Sequence, residues 1–307
     1  MITLKRGIEK SGLSMNKVAD SLGVSASQLS LVASHNYSGW QQREIELIES
    51  MVSHGLLRKE DADLEPSGNT STGNFRVDPY RFITTQNVIA IDTLAKDLLD
   101  PTTTLNASIG VVMGHAGYGK TTAIQHFCSI NERAIYVLYV EGYTLNMLMQ
   151  QIVHEFNAVP NRTFAKNMET IKTATCVYRR LIVIDEADRL PIKYLESLRG
   201  LNEVCGVPIM LVGEHTLATK MTSLPRLESR VRSKPVIFSP LSPFDVGVFY
   251  KDAVGIDLGG DEKMKTLLLK RCRGDFRIMV NDAHRIVSAM NASGITELTK
   301  EVTLAVK

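Results

Sequence analysis

The sequence predicts an α/β core, a five-stranded parallel sheet with helices on both faces, set between two all-helical segments. Five short apolar runs carry the sheet: Ile109 to Met113, Ile135 to Val140, Leu181 to Ile184, Ile209 to Val212 and Val236 to Phe238. Each is bounded, and segments of helical period alternate with them, the pattern of strands buried on both faces by crossover helices. Residues 1–57 carry helical period alone, and so does everything from Pro243 onward. The reading is therefore an N-terminal helical domain over 1–57, a linker over 58–74, the α/β core over 75–242 and a helical lid over 243–307.

In the first segment Leu4 and Ile8 share one helix face, and Val18, Ala19 and Leu22 share a second. Gly23 ends that second helix because it accepts a positive φ. Ser25 starts a third, with Gln28 where a capping box needs it. Leu29, Val32 and Ala33 point inward, and Ile45, Ile48 and Val52 mark a fourth helix. Two short helices joined by Gly23-Val24-Ser25 resemble a helix-turn-helix of the phage-repressor type. Ser27, Gln28 and Ser30, with His35 and Asn36, would then face DNA; a protein-docking helical module is the other reading. The run from Glu65 to Asn74 has no apolar period and the composition of a flexible linker.

Hydrophobic residues make up 44% of the 307 residues and charged residues 22%, enough for sizeable cores and too much for wholesale disorder. No apolar run reaches the roughly 18 residues of a membrane span. The start, Met1 to Arg6, is polar and lacks a signal-peptide core, so a cytoplasmic protein is expected. Cys128, Cys176, Cys205 and Cys272 form no Cys-x-x-Cys pair, which favours reduced, mostly buried thiols and no structural zinc. The net charge of +2 is uninformative, but basic residues cluster: five against one acid in 162–180, five against one in 220–234, and seven against two in 263–285. Such clusters are candidate phosphate-facing surfaces or ordinary solvated helix faces.

The chemistry is concentrated in two motifs. Gly114-His115-Ala116-Gly117-Tyr118-Gly119-Lys120-Thr121 satisfies Gly-x-x-x-x-Gly-Lys-Thr, directly after a strand and at the start of a helix. Glycines let backbone N–H groups wrap phosphates, and the helix N-terminus adds partial positive charge. Lys120 would bridge β- and γ-phosphates, the Thr121 hydroxyl would ligate Mg²⁺, and Thr122 extends the cradle. The second motif, Leu181 to Glu186, is a central strand ending in two acids. Asp185 would hold Mg²⁺ and Glu186 would orient and deprotonate the attacking water. Asp188 fits an acid that favours a helix N-terminus.

The order Gly-Lys-Thr, Asp185-Glu186-Ala187-Asp188, a basic segment and a helical lid with Gly274-x-x-Arg277 resembles AAA+ ATPases. Thr85-Gln86, Gly213 with His215, and Ser229-Arg230 add a likeness to the transposition protein B family of Mu-type bacteriophages and the related IstB-type helper ATPases. This resemblance, which runs along nearly the whole chain, implies an ATP- and Mg²⁺-dependent, DNA-stimulated ATPase in a bacterial host cell. It implies a protein that binds duplex DNA with little sequence preference, assembles into an oligomer or helical filament, and selects target DNA for a partner transposase. A helicase loader and a nucleotide-switched DNA-binding regulator share these parts. The resemblance further implies that Glu214, with His215, stands at the first sensor position, where Asn is more usual. Arg230 corresponds to an arginine finger, with Arg226 and Arg232 as alternatives, and Arg277 to the second sensor. Arg162 and Lys166, in the loop Asn161 to Lys166, with Lys193 as a weaker candidate, would grip the phosphate backbone. Arg179 and Arg180 precede a buried strand and fit a structural role.

Overall fold

The computed structural model describes residues 4–33, 40–58, 75–78, 81–100 and 108–306. His35, Asn36 and the expected linker run lie outside the described residues. The chain forms two compact units, one of residues 1–64, 86–115 and 120–237, the other of 65–85, 116–119 and 238–307.

The first unit holds the sheet: β1 (Ile109–Met113), β2 (Ala134–Leu138), β3 (Leu181–Asp185), β4 (Ile209–Gly213) and β5 (Val236–Ile237), in the order β2-β3-β4-β1-β5. All pairings are parallel. β1, β3 and β4 are buried along their whole length, as their unbroken apolar sequences require. The registers Met113↔Gly213 and Leu138↔Asp185 bring the strand C-termini to one edge. Ligands bind at that edge of an open parallel sheet.

The helices around the sheet are α5 (Gln86–Leu99), α6 (Lys120–Ile130), α7 (Leu145–Glu155), α8 (Phe164–Val177), α9 (Ile192–Cys205), α10 (Thr216–Thr222) and the short α11 (Pro225–Glu228). Their apolar faces close one core with the sheet, including Ile135, Leu148, Ile152, Ile171, Ile184 and Leu201. Each such fully buried side chain stabilises the fold by roughly 1.5–3 kcal/mol.

The N-terminal helices α1 (Leu4–Ser11), α2 (Met15–Leu22), α3 (Ala26–Ala33) and α4 (Trp40–Ser53) surround a small core of their own, with Leu4, Val18, Leu29, Val32, Ile48 and Met51 fully buried. Gly23 ends α2 at φ +68°. The capping box forms: Ser25 N donates to Gln28 Oε1 (2.8 Å) and Gln28 N to Ser25 Oγ (3.2 Å). The expectation that Gln28 faces DNA is corrected. Gln28 is 1% exposed, and its Nε2 donates to Asn131 O (2.9 Å) and to Cys128 O. The physical reason is that the last carbonyls of a helix lack intrahelical partners, and Gln28 supplies donors to the end of α6. Ser27 is half-buried with its hydroxyl on that of Ser25 (3.1 Å), so it is not on an open face either; Ser30 is exposed. A second tie joins Asn157 Nδ2 to Asp20 Oδ1 (2.8 Å).

The second unit is helical: α12 (Pro243–Phe249), continued by a π-helical turn (Tyr250–Val254), then α13 (Glu262–Cys272), α14 (Phe276–Ala292) and α15 (Lys300–Ala305). A capping box of Ser242 and Asp245, with Pro243 in the first turn, starts α12. Residues 75–78 and 81–85, expected with the sheet domain, group with this unit. Val77 and Ile83 share a core with Phe249, Leu268 and Ile286, and Asn291 holds both backbone groups of Phe75 (3.1 and 2.8 Å). A short segment without its own period takes its place from the apolar face that covers it. No helix among the described residues is long and apolar enough to cross a membrane.

Candidate nucleotide site and basic surface

At the C-terminal edge of the sheet, β1 runs into Gly114 and the chain returns as α6 at Lys120. Gly117 and Gly119 take φ +84° and +87°, the left-handed turns that let the loop coil back. Lys120 Nζ donates to Gly114 O (2.7 Å) and His115 O (2.9 Å), so the ammonium lies inside the loop. Burial lowers the Lys120 pKa, and the carboxylates of Glu214, Asp185, Asp188 and Glu186 oppose that shift. Four acids therefore face one lysine. Thr121 and Thr122 are exposed in the first turn of α6.

Asp185 closes β3 and is 2% exposed. Tyr136 OH, from β2, donates to Asp185 Oδ2 (3.1 Å), and Glu186 N donates to Oδ1 (2.9 Å). Burial and the Asp185 charge push the Tyr136 pKa up, keeping the phenol a donor. Glu186 has φ +58°, a left-handed conformation uncommon for a residue with a side chain. Such strain persists where the surroundings over-determine it; here Arg189 N also donates to Glu186 O (3.0 Å). The Glu186 pKa is raised by burial, lowered by Arg189, whose Nε lies 2.9 Å from Oε2, and raised by Asp185 and Asp188.

Asp188 lies in the first turn of the short 3-10 helix Ala187–Arg189 that follows β3. Its Oδ1 accepts from Glu214 N (3.1 Å), fastening the end of β4 to the turn after β3. Gly213 permits the contact, since a Cβ there would lie 2.8 Å from Asp188 N. Lys220 completes the brace by donating to the carbonyls of Asp188 and Leu190. Glu214 and His215 are exposed at this edge, with the His215 ring 4.8 Å from that of His115. The hard oxygen donors of Thr121 and Asp185 suit Mg²⁺. Tyr136, Arg189 and Lys220 went unforeseen. The one trace they leave is Tyr136, a hydroxyl in an otherwise aliphatic strand.

Residues 103–221 match the AAA domain family. The chain is 25% identical over 244 residues to the ATP-dependent target DNA activator B of Escherichia phage Mu, covering 76% of this chain and 71% of that protein. It is equally 25% identical to the Mu-like prophage FluMu DNA transposition protein B of Haemophilus influenzae, covering 71% of this chain and 70% of that one. Among solved structures, the ORC2 protein of Aeropyrum pernix, in its ADPNP-ADP complexes, matches with TM-score 0.57 and 14% identity over 76% of this chain and 72% of that one. The segment 103–221 matches as an AAA domain, and the chain resembles the B proteins of Mu-type bacteriophages. An AAA domain implies nucleotide binding.

Arg230 lies at the far end of β1 from the loop into which Lys120 donates. Its carbonyl accepts from Ile109 N (3.2 Å), at the start of β1, and its guanidinium pairs with Glu203 (3.1 Å). Arg232 is paired with Asp97 (3.3 Å), while Arg226 is exposed on α11. Within the helical unit, Gly117 O accepts from Phe276 N (2.9 Å), and a Cβ on Gly117 would run into the Asp275 carboxylate. Arg277, exposed in the first turn of α14, follows directly. Asp275 caps α14 through Ile278 N and Asp282 is held by Arg271, so neither anchors Arg277.

Arg162 and Lys166 are both exposed around the start of α8, whose first turn Thr163 caps. Lys193 is exposed on α9 and stacks over Tyr194 (5.6 Å). Arg179 and Arg180 are half-buried, and burial lowers both pKa values.

Proposed function

We propose that this chain is an ATP-driven protein that assembles on duplex DNA with little sequence preference, marks it as a target and recruits or activates a transposase. The phage Mu relative's name, ATP-dependent target DNA activator, supports the class of activity. The observation that carries the assembly step is the position of Arg230 at the opposite end of β1 from the phosphate loop. β1 spans five residues, so the ends lie about 13 Å apart at ~3.3 Å per residue. A finger so placed serves a neighbouring subunit's site, and a head-to-tail contact of this kind that does not close propagates as a filament.

Within each site Lys120 exchanges its loop carbonyls for phosphate oxygens. Thr121 and Asp185 would hold Mg²⁺, which neutralises charge on the phosphates. Tyr136 and the Glu186 N–H fix the Asp185 carboxylate; Glu186 accepts the proton of the attacking water. A raised pKa makes Glu186 a stronger base than an ordinary carboxylate. Glu214, bonded to Asp188 at the end of β4, takes the first sensor role and Arg277 the second.

The test is a salt titration of duplex binding by fluorescence anisotropy, with ATP and with ADP, on two unrelated sequences. Binding is expected to be far tighter with ATP, equal on both sequences, and steeply salt-dependent, at roughly −0.9 in log–log slope per phosphate contact. Indifference to nucleotide would refute the assembly reading.

A further inference from the structure

We propose that Asn167 is a positioning residue for the DNA backbone, holding the loop that carries Arg162 and Lys166 in one conformation. This rests on the DNA-binding reading above. Asn167 lies in the first turns of α8 and is fully buried. Its Oδ1 accepts from Asn161 N (2.7 Å), and its Nδ2 donates to Asn161 O (3.0 Å) and to Asn146 Oδ1 (3.0 Å). One side-chain amide thus takes both backbone groups of Asn161, as a neighbouring strand would.

The second ring of contacts extends the hold. Asn146, on α7, passes its own Nδ2 to Arg162 O (3.0 Å), and Gln150 Nε2 donates to Asn161 O (2.8 Å). Asn161 Nδ2 reaches Thr170 Oγ1 (3.1 Å). The backbone on the N-terminal side of Arg162 is therefore clamped between two helices, while its side chain and that of Lys166 stay exposed. Both cations flank the N-terminus of a 14-residue helix, which adds partial positive charge. A polar network whose every member is satisfied rigidifies what it surrounds. A rigid loop offers phosphates two cations without an ordering cost at each subunit. Such a loop reads phosphate spacing and not base sequence.

The experiment compares full-length Asn167→Asp and Asn167→Leu with the parent and with Arg162→Ala/Lys166→Ala. Asn167→Asp keeps the shape but turns two donors into acceptors facing the oxygens of Asn161 and Asn146. ATP binding, by fluorescent nucleotide, is expected to be unchanged. Duplex affinity in ATP at about 0.1 M salt should fall roughly tenfold per contact weakened, with a flatter salt slope. Adding Arg162→Ala/Lys166→Ala to either Asn167 variant should then change little. A merely structural role lowers the active fraction and leaves the slope alone. A parental slope in the Asn167 variants, with a flattened slope in Arg162→Ala/Lys166→Ala, overturns the positioning role and spares the DNA reading. An unchanged slope in Arg162→Ala/Lys166→Ala overturns both. Should the Asn167 variants lose ATP binding, Asn146→Ala decides: it removes the brace on Arg162 O from the half-buried surface of α7, and a parental slope there overturns the proposal.

Discussion

Arg230→Ala should leave nucleotide binding intact and abolish turnover, and the lost activity should return in trans. The guanidinium is held by Glu203, which is largely exposed and shared with Arg199. An exposed pair of this kind is weak, so a γ-phosphate on a neighbour can draw Arg230 away at little cost. Its own phosphate loop lies beyond the length of β1, about 13 Å, further than the side chain reaches. An arginine finger accelerates phosphoryl transfer by about 10³–10⁵-fold, so the single variant should fall near background. Glu186→Gln is the complement, because it lacks the base but keeps Lys120, Asp185 and Arg230. In an equal mixture, about a quarter of head-to-tail interfaces pair an intact site with an intact finger. Steady-state phosphate release should therefore recover to a sizeable fraction of the parent, against almost none for either variant alone. Energy transfer between labelled variants establishes co-assembly. Co-assembled mixtures that stay inactive would refute action in trans.

Arg189→Gln removes the cation that lowers the Glu186 pKa, so that pKa rises further. Glu186 works ionised; the acid limb of turnover against pH should shift to higher pH, and a stationary limb would exclude Glu186 as the base. Gly213→Ala presses a methyl onto Asp188 N, costing about 1–3 kcal/mol as overpacking does. Thermal unfolding should fall by several degrees and ATP turnover should drop; an unaltered melt would show that the two turns move apart freely. Gln28→Ala removes donors from the carbonyls of Cys128 and Asn131, costing about 1–3 kcal/mol for the acceptors left bare. Hydrogen exchange should quicken at the end of α6 and in α3, and unchanged protection there would count against a stabilising role for the Gln28 hydrogen bonds.

The strands were legible because β1, β3 and β4 are aliphatic from end to end, and only burial on both faces explains such runs. Their edges were less so. The run expected to reach Val140 leaves the sheet at Leu138, where β2 lies at the sheet margin and Leu138 is exposed. The capping box at Ser25 and Gln28 was written in the spacing, yet the use of Gln28 was misjudged. Nothing local distinguishes a glutamine that faces solvent from one whose free end meets carbonyls 100 residues away.

Residues 114–121 and 181–186 mark a candidate nucleotide site by themselves, because wrapping phosphates demands glycines, a lysine and a hydroxyl at fixed spacing along one continuous loop. Contacts set by chain crossing leave no such spacing. Tyr136 on Asp185, Asp188 on Glu214 and Lys220 on the turn after β3 join four segments through the register of neighbouring strands. Asn167 reads in sequence as one more polar residue of an amphipathic helix, and only packing of α7 against α8 turns it into the clamp of a loop. Local sequence singled out the groups proposed to do the chemistry, since phosphate binding is a property of one short segment. Tertiary structure decided how those groups are held and which end of the sheet Arg230 occupies, since pairing order and register are properties of the whole core.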